Sequence, residues 1–177
     1  PTRAQALALR AWAVTALEGS GPAARCFRSA LDEVGAGSPS EIELMQGLAW
    51  STHQTDVRLA EPFARRALAL AELGGGDEQT AVSQTLVDFL CALGGKGISI
   101  DAVARAVEVV QSSSRRPQIM CRPDWLHGML LMWEDRLPEG LQRFETMRAD
   151  AIARGDEQSL PFILFNLARA QLLLGSW

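Results

Sequence analysis

Apolar positions along this chain recur at helical spacing, in blocks cut by short polar or glycine-rich breaks. Leu7, Trp12, Val14 and Leu17 open the series, at intervals that fit one face of a helix. Gly19-Ser20-Gly21-Pro22 interrupts it, and Pro22 suits the first turn of a new helix. That second helix carries Ala23, Phe27 and Ala30, spaced by four and three. A loop of small residues from Gly35 to Pro39 follows, and Ser40 is placed to cap a helix holding Ile42, Met45, Leu48 and Ala49. Its partner repeats the four-and-three spacing with Ala60, Ala64 and Ala67 and stops at Gly74-Gly75-Gly76.

The pattern then continues. Asp77 is expected to cap a helix with Val82, Leu86, Phe89, Leu90 and Leu93. Gly94 to Gly97 makes a turn, and Asp101 is expected to cap a helix with Ala102, Ala106 and Val109. The stretch from Gln111 to Pro123 is polar and proline-containing, which predicts a longer connection. Asp124 is expected to cap a helix with Trp125, Leu126, Met129, Leu130 and Trp133. Glu134-Asp135-Arg136 turns the chain into a helix with Gly140, Phe144 and Met147, again four and three apart. Gly155 is a helix stop, and Asp156 is expected to cap a last helix that runs to Leu174. No strand-like alternation of useful length appears; Val107 to Val110 is the best candidate and lies inside a helical frame.

Two stretches nearly repeat each other. Asp77-Glu78-Gln79-Thr80 and Asp156-Glu157-Gln158-Ser159 lie 79 positions apart, and each opens a long apolar block. Half that distance gives a unit of about 40 residues, the period of stacked helix pairs. The expected fold is therefore all-α, a right-handed solenoid of antiparallel helix pairs of tetratricopeptide-like type, with about four and a half repeats. The expected units are about 2–35, 40–74, 77–112, 124–155 and an incomplete 156–177, forming one helical-repeat domain. The four-and-three spacing has a packing reason. Those positions share one helix face, and alanine or glycine there lets a neighbouring helix come close while the larger residue fills the gap between units.

Composition narrows the function. At 47% hydrophobic and 21% charged residues the chain is that of a folded protein. The longest apolar run, Phe162 to Leu174, is broken by Asn166, Arg169 and Gln171, which argues against a membrane span. A formal charge of −4 argues against direct nucleic-acid contact. Cys26, Cys91 and Cys121 form no CxxC pair, which suits reduced thiols in a cytoplasmic protein. The first residue is Pro, and the chain stops at Gly175-Ser176-Trp177 in what reads as a turn. Both ends suggest a piece of a longer protein.

No catalytic constellation emerges, and no enzyme activity is expected. Gly94-Gly95-Lys96-Gly97 lacks the strand before it and the Ser or Thr after Lys that a phosphate loop needs. His53 and His127 have no partner ligand at metal-binding spacing. His127, beside Trp125, fits a packing or groove-lining histidine. Arg115, Arg116 and Arg122 fit a solvated loop, with a contact to another domain as the alternative.

The stretches Gly128 to Gly140 and Ala153 to Phe162 carry a family likeness. The region from Trp125 to Trp177 resembles the helical-repeat part of large ATP-binding LuxR-type bacterial transcription regulators, related to the maltose regulon activator. The earlier two thirds follow the repeat style more loosely. The resemblance implies a sensor and scaffold segment that binds an effector or protein partner. It would relay that event to nucleotide-binding and DNA-binding domains outside this chain. ATP would belong to one of those domains, and no cofactor is expected here. The alternative is a stand-alone tetratricopeptide-like adaptor; peptide-tail clamps of that kind use Lys and Asn, of which the chain has only Lys96 and Asn166.

In stacked helix pairs the first helices line the concave surface. On that basis Trp125, Met129, Met132, Phe162, Phe165, Arg169 and Leu172 form a candidate groove for a small ligand or a partner helix. The same residues fit inter-repeat core, the commoner fate of large apolar side chains. Phe162, Phe165 and Leu172 are also placed to meet a second copy of the chain through the last helix.

Overall fold

The computed structural model describes residues 3–34, 37, 39–113 and 117–175. Among them the regular structure is helical throughout: α1 (Arg3–Glu18), α2 (Ser20–Glu33), α3 (Pro39–His53), α4 (Val57–Gly74), α5 (Gly76–Leu93), α6 (Ile100–Gln111), α7 (Pro123–Trp133), α8 (Leu137–Arg154) and α9 (Leu160–Leu173). A single 3-10 turn, Ile119–Cys121, precedes α7. The chain leaves helical structure near residues 19, 55, 95, 135 and 175. Gly19, Gly95, Asp135 and Gly175 take positive φ values of 87°, 74°, 62° and 71° at four of them.

The chain falls into two compact units, residues 1–98 and 99–177. The division separates α5 from α6, the two helices expected to form the third pair. In the first unit α1 packs on α2 and α3, while α3 packs on α2, α4 and α5, and α4 on α5. This is the order of stacked helix pairs, with first helices side by side. In the second unit α6 packs on α7, α7 on α8 and α8 on α9.

The second helices carry the expected rows of small residues. Ala23, Phe27 and Ala30 on α2, and Ala60, Ala64 and Ala67 on α4, are sealed from solvent, as are Phe144 and Met147 beside buried Gly140 on α8. Ala71 extends the α4 stripe by another step of four. On α6 the spacing is right but its register is not: Val103, Val107 and Val110 are buried, one position beyond each expected residue. Val109 is exposed instead. One residue along a helix is a turn of about 100°, and the bulkier valine row takes the core-facing side.

The capping expectations need correction at each acidic site and at Ser40. Helix α3 begins at Pro39, so Ser40 lies within its first turn. Asp77 lies within the first turn of α5, where a negative charge favours the helix dipole without a cap bond. Ser99 caps α6, accepting from the backbone N–H of Ala102 at 3.3 Å, and Asp101 lies within the first turn. Asp156 accepts from the N–H of Ser159 at 3.2 Å in a turn ahead of α9. Leu17, Leu93 and Trp133, expected on buried stripes, are exposed at 84%, 42% and 46%.

Arg122 was expected in a solvated loop, and Arg115 and Arg116 fall outside the described residues. Arg122 is only 3% exposed. Its guanidinium forks onto Asp124, with Nε donating to Oδ1 at 3.0 Å and Nη2 to Oδ2. Asp124 is thus an ion-pair partner at the start of α7, and its Oδ1 also accepts from the N–H of Trp125. Lys96, in the glycine turn after α5, donates to Glu61 at 3.2 and 3.3 Å.

Candidate binding surfaces of the second unit

The seven residues predicted to line a groove lie on α7 and α9 at different depths. Trp125, Met129 and Met132 of α7 are buried, at 6%, 5% and 6% exposure, and Met132 lies close to Gly140 of α8. They are core, not groove lining. Phe162 and Arg169 are half-buried, and Phe165 and Leu172 are exposed at 60% and 53%.

Contacts involve five of the seven. The rings of Trp125 and Phe162 are 5.6 Å apart and tilted by 48°. Arg169 donates from Nη1 to the Met129 sulfur at 3.8 Å, and its Cζ lies 5.8 Å from the centroid of the Phe165 ring. The guanidinium therefore spans a buried α7 residue and an exposed α9 aromatic on its own helix. The outer part of α9 keeps an apolar row in solvent, with Leu164, Phe165 and Leu172 exposed at spacings that place them on one helix face.

A second surface lies on the opposite side of α7. Residues two and six positions beyond Trp125 point about 200° and 240° away from it around the helix; these are His127 and Leu131. Both line a cleft of about 450 Å³, walled by Pro138, Glu139, Gln142 and Arg143 of α8. Arg143 and Thr146 also line an adjoining cleft of about 210 Å³, bounded by Gln111, Asp124 and Asp150.

The charges in these clefts are mostly matched. Arg136 donates to Glu139 from Nε at 2.7 Å and Nη2 at 2.5 Å, and Arg154 pairs with Asp150 at 2.6 Å. Asp124 is held by Arg122. The Thr146 hydroxyl donates to the Gln142 carbonyl at 2.9 Å. Arg143 makes no ion pair or hydrogen bond among the described residues. The Nδ1 of His127 is enclosed and also lacks a hydrogen-bond partner. Burial, and then the positive charges of Arg143 and Arg136, hold the His127 imidazole below its ordinary pKa, so the ring is neutral at pH 7.

His127 was expected as a satisfied packing or groove-lining histidine; it lines this cleft, but its Nδ1 has no hydrogen-bond partner. Arg143, Leu131 and Gln142 were not expected there. Gln142 and Arg143 belong to a polar side of α8 beside the buried Gly140-Phe144-Met147 row. In sequence that side has the signature of any solvated helix face. Among the described residues no group of three His, Cys, Asp or Glu side chains is arranged to hold a metal ion. No described helix is long and apolar enough to cross a membrane.

The fold is a TPR-like helical repeat. The chain is similar to the crystal structure of nearly identical TPR-like repeats from a candidate kinesin light chain of Podosopora anserina, and to that of a single-residue variant of the same protein. In each case the TM-score is 0.54 at 17% identity, over 99% of this chain and 88% of that one. No protein-family model matches the chain, and no curated protein matches it. The structural likeness establishes the helix-pair architecture and leaves the site to be argued from its own residues.

Proposed function

We propose that this chain is an interaction scaffold, acting as the sensor segment of a bacterial LuxR-type transcription regulator. In this reading it binds an effector or protein partner and relays that event to nucleotide-binding and DNA-binding domains elsewhere in the parent protein. It has no catalytic role of its own. The carrying observation is the apolar row of α9. Leu164, Phe165 and Leu172 remain in solvent at 48%, 60% and 53% exposure, on a helix whose other side is packed against α8. In stacked helix pairs such a row is covered by the next helical element or by a partner. The regulator context is supported by the likeness of residues 128–140 and 153–162 to that family's helical-repeat region.

The stand-alone adaptor is the second reading. The TPR-like architecture over nearly the whole chain favours it equally. The full-length coding sequence separates the two. A phosphate-loop motif upstream and a helix-turn-helix downstream support the regulator. An open reading frame complete near Trp177 leaves the adaptor. The binding role itself is tested by Phe165→Ser and Leu172→Ser in the parent protein. Both side chains are exposed, so folding should hold while partner or effector response falls. Unchanged response in the double variant removes this surface from the proposal.

A further inference from the structure

We propose that the cleft formed by α7 and α8 around His127 and Arg143 is a binding site for a ligand bearing a single carboxylate on an apolar stem. This inference rests on the cleft alone and stands whether or not the chain belongs to a regulator. It concerns the side of α7 opposite the α9 surface.

Three observations specify the chemistry. Arg143 is a guanidinium in a cleft wall with no carboxylate of its own. A guanidinium fork suits two carboxylate oxygens held side by side. The His127 ring lines the same cleft, with its Nδ1 closed off from solvent. The charge of Arg143 acts on this ring, so a carboxylate seated on the guanidinium fork would be sensed at the imidazole. Leu131 and Pro138 supply apolar wall beside these two groups. The space, about 450 Å³, lies within the range of small-molecule sites.

The neighbouring charges limit the ligand to one negative charge. The fork of Arg136 is already filled by Glu139. Glu139 lines the cleft, and Asp101 is near enough to act on both His127 and Arg136. A second negative charge would face these two carboxylates with no free cation left among the described cleft residues to meet it. A monocarboxylate fits better than a dianionic phosphate. The carboxylate could come from a free small acid or from a glutamate side chain of a partner protein.

The test is NMR titration of the 177-residue chain, following the His127 imidazole nitrogens and the backbone amides of α7 and α8. The probes are hexanoate, its neutral analogue hexanamide, inorganic phosphate, and a capped Leu-Leu-Glu-Leu peptide with its Gln counterpart. Expected are saturable shifts at His127 and Arg143 with hexanoate, the Glu peptide or both, and at least about fivefold weaker binding of the neutral analogues and of Arg143→Gln. Saturation by hexanoate alone identifies a free acid as the source; saturation by the peptide alone identifies a protein side chain. Circular dichroism checks that Arg143→Gln folds, and Arg143→Lys, which keeps the charge and loses the fork, should fall between it and the parent. The proposal is overturned if neither carboxylate saturates below about 20 mM, if the neutral analogues or Arg143→Gln bind within about fivefold, or if phosphate binds more tightly.

Discussion

Helices α3 and α7 use the same parts in different registers. Each begins at a proline, buries a carboxylate in its first turn, holds a glycine against a phenylalanine ring and carries a histidine. In α3 the buried carboxylate is Glu41, reached by the half-exposed Arg66 at 3.4 Å. In α7 it is Asp124, forked by an Arg122 that is itself buried. The glycines differ in which neighbour they receive. Gly47 of α3 takes Phe27 from the preceding helix pair, and a Cβ there would fall inside the ring. Gly128 of α7 takes Phe144 from its own partner helix, with a Cβ 2.8 Å from the ring edge. The four-and-three pattern thus decides that the phenylalanine is buried, and the glycine decides against which helix.

Removing the rings should have the largest effect. Phe27 and Phe144 are both fully enclosed, and truncating either to Ala should destabilise by about 3–5 kcal/mol. Phe27 also meets Trp12 edge-on, with centroids 5.0 Å apart at 76°. It therefore links α1, α2 and α3, whereas Phe144 chiefly seals the α7–α8 pair. Chemical denaturation should show Phe27→Ala as the costlier of the two. A smaller loss for Phe27→Ala than for Phe144→Ala would break the comparison.

The two buried carboxylates sharpen it next. Asp124→Ala leaves the Arg122 charge buried without its partner, which costs about 3–5 kcal/mol. Glu41→Gln removes an ion pair to a half-exposed arginine, worth about 0–1 kcal/mol. The Gln side chain can still accept from the Gly37 N–H, which Glu41 does at 2.6 Å. Equal losses in the two variants would mean that burial of the arginine does not decide the strength of the pair.

The glycines come third. Gly47→Ala should cost about 1–3 kcal/mol through overpacking, less the roughly 1 kcal/mol that alanine gains over glycine inside a helix. Gly128→Ala should cost less, because only the ring edge must move. Gly21→Ala is the control: a methyl there meets nothing within 4 Å. It should be neutral or slightly stabilising in thermal denaturation. A stable Gly47→Ala protein would show that Phe27 is not seated on that glycine.

These details mark where the sequence runs out. Small residues at steps of four and three located the close-packed rows of α2, α4 and α8, because a helix places such residues on one face. They missed by one position on α6, where two apolar rows compete. The duplicated Asp-Glu-Gln showed the period and misled about local structure. Residues 77–80 lie inside α5, while 156–159 form a turn, since Pro161 sits in the first turn of α9, where its missing N–H costs nothing. The groove was placed from large apolar side chains, and three of them are core. The cleft around Arg143 was illegible because an unpaired guanidinium looks the same in sequence as a paired one.

The histidines give the smallest effect and the cleanest contrast. His53 donates from Nδ1 to the Trp50 carbonyl and meets the Phe89 ring edge-on, with centroids 5.2 Å apart. Burial holds its pKa below the ordinary value, partly offset by that hydrogen bond. His127 is also held low, by burial first and then by Arg143 and Arg136. A histidine whose folded pKa is lowered resists protonation, so the unfolded chain takes up more protons as pH falls through about 6.5. Stability is unaffected above that range and declines below it, until the folded pKa is passed. With two histidines in the chain, denaturation midpoints between about pH 7.5 and 5.5 report mainly on this pair. His53→Gln and His127→Gln should each remove part of the acid-side decline. Arg143→Gln should remove part of the His127 share while leaving that of His53 intact, because Arg143 acts on His127 and not on His53. An unchanged pH slope in Arg143→Gln would mean that its charge does not reach the imidazole, and α3 and α7 would then hold their histidines neutral by burial alone.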